Sequence, residues 1–198
     1  MRPLLLLATV ASCARAPEAV APDTAKGGAQ PPAVSREAVE PQAARAEQAF
    51  GALKARLMTR LSVAMGEGGP AAAIAVCSSE AQKMTAEIGA ANGLELGRTS
   101  FRVRNRANAP RPWAATTVAA GEGQQAAEVK PALFDLGDRV GVLAPMPVGA
   151  MCVTCHGPKE QLPPEVSAAL AERYPSDRAT GFAEGDLRGF FWAEVPKG

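Results

Sequence analysis

One histidine and four cysteines are all that a chain of 198 residues offers in imidazole and thiol ligands, and the shortage is exclusive in its consequences. A structural zinc site draws four ligands from Cys and His; His156 with Cys152 and Cys155 makes three, and the remaining cysteines lie far upstream at positions 13 and 77. Haem catalysis that uses a second imidazole as distal base has no residue to supply it. Charge of either sign is also missing in excess: Lys and Arg number 21, Asp and Glu 20. A balanced surface carries no footprint for nucleic acid. Long apolar runs are absent too. The run Leu4 to Val10 is too short to span a membrane, and no later one looks longer.

What is present is concentrated in five residues. The run Cys152-Val153-Thr154-Cys155-His156 is C-x-x-C-H, the attachment signal of a c-type haem. The spacing suits the chemistry: two thiols three residues apart add across the two porphyrin vinyl groups, and the adjacent imidazole reaches the iron as an axial ligand. The expected cofactor is one covalent haem c, bound by Cys152, Cys155 and His156.

The N-terminus is consistent with export. Arg2 supplies a positive end and Leu4 to Val10 an apolar stretch, as in a secretory signal. Val10-Ala11-Ser12-Cys13 resembles a lipobox, in which the cysteine is lipidated and becomes the first mature residue; the alternative is ordinary cleavage that discards Cys13. The expectation is a signal peptide over residues 1–12 and a periplasmic or extracytoplasmic protein anchored to the membrane through lipid on Cys13. Two or three acyl chains give stable anchoring where one is marginal.

With Cys13 assigned to lipid and two cysteines to thioethers, Cys77 is left over. An unpaired thiol in an oxidising compartment asks for an explanation, and the iron lacks a second axial ligand because His156 is the only imidazole. Cys77 is therefore either that ligand or a small buried hydrophobe, the commoner fate of a free cysteine.

Residues 13–41 are rich in Ala and Pro, with Pro17, Pro22, Pro31, Pro32 and Pro41, and read as an extended, disordered linker. Residues 42–198 suffice for one domain. Phe50, Leu53, Leu57, Leu61 and Ala64 recur at helical spacing between Ala43 and Met65, ended by Gly66, Gly68 and Gly69. Pro70 opens a second helix to about Ala91, with Ile74, Cys77, Ala81, Met84 and Ile88 on one stripe facing inward. Alternation from Leu94 to Arg104 predicts a strand, Asn105 to Trp113 a loop, and Ala114 to Glu128 a short helix. Leu133 to Leu136, a Gly137-Asp138 turn and Arg139 to Val148 form a hairpin leading into the haem motif, and Leu187 to Val195 is a final strand. Helices first and antiparallel strands after give an α+β fold.

Cys77-Ser78 on a helix, Arg98-Thr99-Ser100, Arg104-Asn105 with Asn108, Pro110 and Trp113, the C-x-x-C-H motif followed by Gly157, Tyr174-Pro175-x-Asp177-x-Ala179-x-Gly181-Phe182 and Gly185-Asp186-x-Arg188-Gly189 occur in this order. The combination resembles a bacterial c-type haem family, from about residue 45 to the C-terminus. The resemblance implies a PAS-like antiparallel sheet with N-terminal helices. It also implies occurrence alone or as the sensory part of signalling proteins, and an iron held by histidine and cysteine, here His156 and Cys77. Two departures stand out: Ala114 follows Trp113 where an acidic residue is expected, and no output module follows the haem domain, so sensing by direct fusion is not expected. Arg104, Asn105 and Asn108 either meet the haem propionates, arginine matching carboxylate in geometry, or cap a loop. Asp186 and Arg188 read as turn chemistry before a strand.

These residues imply a redox sensor or a sensor of a diatomic gas such as NO or CO, acting on an unidentified redox or signalling partner. The alternative is a membrane-tethered electron-transfer cytochrome with methionine as second ligand, for which Met146, Met151 and Met84 are the candidates. An enzyme is the weakest reading.

Overall fold

The computed structural model describes residues 29–198; the expected signal peptide, Cys13 and the expected linker up to residue 28 lie outside them. The fold is α+β. Four antiparallel strands, β1 (Glu95–Thr99), β2 (Ala132–Asp135), β3 (Arg139–Pro147) and β4 (Leu187–Pro196), form one sheet in the order β1-β4-β3-β2. The long C-terminal strand β4 is central. It pairs with β1 from Thr99 opposite Phe190 to Glu95 opposite Glu194, and with β3 along nearly its whole length.

Alternation along the strands separates two cores. Val140 and Val142 of β3 with Phe191, Ala193 and Val195 of β4 meet the helices on one face. Leu143, Leu187 and Phe190 face the other way and pack with Ala114, Val118 and Phe134. The first face is covered by α1 (Glu40–Ser79) and α2 (Ala81–Ala91), through Ala46, Ala49, Phe50, Leu53 and Leu57 of α1 and Met84 and Ile88 of α2. Phe50 stacks on Phe191 with ring centroids 5.6 Å apart.

By length and composition α1 is apolar enough to cross a membrane, contrary to the impression that no such run follows Val10. Its backbone, however, leaves helical geometry at Gly68 and Gly69, and Gly69 has φ +68°, which favours glycine. Pro70 restarts the helix from its first turn. The second arm ends at Ser79, so the expected continuous helix from Pro70 to Ala91 is divided at Glu80. Glu80 is drawn to the first arm by a two-pronged contact with Arg60, both N–O distances 2.8 Å.

Three further differences have local causes. The segment expected to be disordered through Pro41 is ordered from residue 29 and pairs with the sheet: Val34 donates to Leu133 at 3.0 Å and Asp135 to Pro32 at 3.0 Å. Strand β2 is an edge whose backbone groups need partners, and Pro32 loses nothing by using only its carbonyl. Pro41 falls in the first turn of α1. The strand expected to reach Arg104 stops at Thr99, because Ser100 Oγ donates to Arg188 O and accepts from Arg102 N, turning the chain. The helix expected over 114–128 is confined to α3 (Ala115–Ala120) and a separate turn at Ala126–Glu128.

Trp113 is anchored to the sheet. Its Nε1 and Arg111 Nε both donate to Glu194 Oε1 at 2.8 Å. Burial alone would raise the Glu194 carboxyl, but these donors hold it below its ordinary value. A depressed folded pKa contributes stability above the unfolded value and loses it as pH falls through the folded one. The native chain is expected to lose stability below about pH 4.5 more steeply than Glu194→Gln. Parallel acid-melting curves for the two proteins would contradict this.

Candidate functional site

Strand β3 delivers the chain through Gly149 into a short turn, Ala150–Cys152, and a single helical turn, α4 (Val153–His156). Cys152 and His156, four apart, share the side of that turn that faces a cavity, whereas Cys155 is turned toward a neighbouring cluster. The cavity, above the turn, has a volume of about 540 Å³, in the size range of small-molecule sites. Its walls are the first arm of α1, through Phe50, Leu57 and Leu61, the end of β3 at Ala144 and Met146, and Cys152 and His156 of the motif. Gly51, in mid-helix, also faces it, and a Cβ there would meet nothing within 4 Å. The bare backbone leaves room for a broad flat ligand.

His156 is fixed from behind. Its Nδ1–H donates to the Ala179 carbonyl at 2.7 Å, which selects the tautomer with the lone pair on Nε2, the form that a metal-bound imidazole needs. Arg188 Nε lies 3.3 Å from the same Nδ1; since both are then donors, this is a close approach rather than a hydrogen bond. Burial, with Arg188 and Arg104 nearby, pushes the His156 pKa well down, and the ring stays neutral as ligation requires.

The carbonyl that holds His156 is itself held. Arg104 Nε contacts Asp177 Oδ2 at 3.0 Å, its Nη2 donates to Cys155 O at 2.6 Å and to Ala179 O at 3.1 Å, and Asp177 Oδ1 accepts from Ala179 N at 2.7 Å. The pair ties the haem-type motif to the segment 177–179. Phe182 N reaches His156 O and Gly181 N reaches Gly157 O, closing the tie as a short stretch of paired backbone.

The other expected residues are placed unevenly. Arg104 and Asn108 line the cavity, but Arg104 is committed to Asp177 and two carbonyls, and Asn108 Oδ1 accepts from Gln82. Asn105 does not line it; its side chain caps the turn at Arg106–Asn108 by accepting from Ala107 N, as the loop-capping alternative had it. Cys155 packs with Ile74, Val166, Leu170 and Tyr174 beside the second arm of α1. Cys77, one turn beyond Ile74, is partly buried and, like Cys155, is not among the residues that line the cavity. Burial raises its thiol pKa, while Arg98 and Arg104 pull it down. Of the three candidate methionines, Met146 lines the cavity, Met84 belongs to the core, and Met151 is exposed; Met58 of α1 lines the cavity as well.

Two residues were given no site role by the sequence. Arg188, read as turn chemistry, reaches back over the motif, and burial among other arginines lowers its pKa to about 10. Arg98 enters the cavity from β1. The signal available for both was an arginine inside a segment that reads as a strand, where a half-buried pleat makes a cation conspicuous.

Fold and site together define an α+β domain with a cavity at a C-x-x-C-H turn. A family model described as Tll0287-like matches residues 22–196, and the chain belongs to that family. In solved structures it is similar to a cyanobacterial heme-protein, Tll0287, with 27% identity, a TM-score of 0.56, and 83% of this chain and 98% of that one covered. Among curated proteins none matches.

Proposed function

We propose that this is an exported, lipid-anchored c-type haem protein that senses redox state or a small ligand through an iron held by His156 and Cys77. The observation that carries it is the neutral His156, locked as a Nδ1–H tautomer on a cavity that Cys152 also lines. The similarity to a heme-protein supports the cofactor, and the antiparallel sheet with helices over one face fits the PAS-like architecture implied by the sequence motifs. The donor set fits as well. Arg98, Arg104, Arg188 and Lys54 line the cavity against the single carboxylate of Glu47, which is engaged by Arg36. A cationic apolar slot suits a ring that carries carboxylates.

When bound, the haem supplies a one-electron iron couple and a position for diatomic ligands. The chain's own contribution is to hold His156 rigidly and Cys77 less so. His156 is braced by Ala179, Arg104 and Asp177. Cys77 rides the short second arm, joined to the rest of α1 through the non-helical Gly68 and Gly69. Cys77 on the iron would hold that arm in place, and without that bond the arm would be free to shift against α5 (Pro164–Arg173), with which Ile74 packs. A two-state element of this kind is what a switch needs.

The deciding experiment is optical and EPR spectroscopy of the purified protein, ferric and reduced, with Cys77→Ala beside it. A low-spin thiolate signal in the native protein that is lost in the variant is expected. Unchanged spectra with a methionine-type band would leave Cys77 in the core and favour a tethered electron carrier, with Met146 the cavity-lining candidate. The anchor is tested separately: recovery in the membrane fraction should be abolished by Cys13→Ala, and persistence there would point to another attachment.

A further inference from the structure

Of the three arginines that line the cavity, two have partners for their side-chain donors. Arg104 is committed to Asp177 and two carbonyls. Arg188 Nη1 donates to Ser100 Oγ at 2.8 Å and to Arg102 O at 3.1 Å. Arg98 makes no side-chain hydrogen bond among the described residues, and its Nε is fully buried without a partner. The other such atom, Thr99 Oγ1, belongs to the next residue of β1 and so to the opposite face of the strand.

A guanidinium whose Nε is buried without an acceptor is costly, and its surroundings offer no anion; the side chain as a whole is only partly buried and lines the cavity. Burial lowers the Arg98 pKa, and the groups that pull it back are the Cys77 thiol and the Tyr174 phenol, both weak acids. Burial pushes Tyr174 up to about 12, so it remains neutral. The only carboxylate in the cavity wall, Glu47, is turned to Arg36. Arg98 stands opposite Phe191 in the β1–β4 register, on the face that α1 covers and where the cavity opens.

We infer that Arg98 is the carboxylate receptor of the cavity and takes a propionate of the bound porphyrin in a charge-assisted, two-pronged contact. This rests on the haem reading above. It also moves the propionate role from Arg104, Asn105 and Asn108, whose polar groups the fold already uses, to the residue whose donors are free. Guanidinium matches carboxylate in a way that ammonium does not, so lysine is a partial substitute only.

The test uses the holoprotein, made with haem-attachment machinery, as native, Arg98→Met and Arg98→Lys, each with Cys77 intact and as Cys77→Ala. The readout is the propionate bending band in resonance Raman, with a thermal melt to establish folding. Arg98→Met is expected to shift that band, Arg98→Lys to shift it less, and the shift to be the same in both Cys77 backgrounds. A band unmoved in folded Arg98→Met overturns the assignment. So does a shift that appears only with Cys77 present, which would make Arg98 the counter-charge of the thiolate instead. If Arg98→Met does not fold, Arg98→Lys carries the same test. A native chain that takes up no covalent haem overturns the underlying reading, and it is recognised before any variant is made.

Discussion

Asp177→Ala is expected to lower the melting temperature by roughly 6–20 °C. The side chains of Arg104 and Asp177 are only 10% and 11% exposed. Removing one partner of a buried pair leaves the other uncompensated, which costs about 3–5 kcal/mol, and a domain of this size loses about 2–4 °C per kcal/mol. The loss has a second part, because Asp177 also accepts from Ala179 N. Asp177→Asn keeps an acceptor for that donor and should fall between native and alanine. Arg104→Met combined with Asp177→Ala should recover part of the loss, since no buried charge is then stranded. A melt of Asp177→Ala within about 2 °C of native would show that the pair is solvated in solution and does not brace the motif.

The same network explains what was legible in the sequence and what was not. The C-x-x-C-H turn, the hairpin that feeds it and the C-terminal strand are local signals: a motif, a Gly137-Asp138 turn and alternating apolar residues. The structure places β2, β3 and β4 within a residue or two of where those signals end. The bracing of His156 is not local. Its acceptor is Ala179, 23 residues on, held by Arg104, 75 residues before it. No periodicity encodes such a pairing. Composition misled in the linker, where Pro31 and Pro32 suggested disorder but an open sheet edge accepted the segment. Alternation misled past Thr99, where Ser100 used its hydroxyl to end the strand. Arginine carried the least readable information: Arg98, Arg104 and Arg188 look alike in sequence, and only their partners separate a brace from a free receptor.

Removing the Cys77 thiol is expected to raise the reduction potential by about a few hundred mV, within the roughly 0.8 V that axial ligands span. Under the proposed ligation, the Cys77 thiolate would add negative charge at the iron and stabilise the ferric state. The cationic wall works the other way, and because Arg98, Arg104 and Arg188 remain in Cys77→Ala, the full effect of the lost ligand should appear in the difference. The second measurement is the rate of CO binding to the reduced protein. If Cys77 leaves on reduction, the native rate equals that of Cys77→Ala, and the arm beyond Gly69 is free in the reduced state. If the native rate is much the slower, Cys77 stays bound and must be displaced, so the gas rather than the electron is the input. Equal potentials in native and variant would remove Cys77 from the iron altogether, and Met146→Leu would become the next substitution to examine.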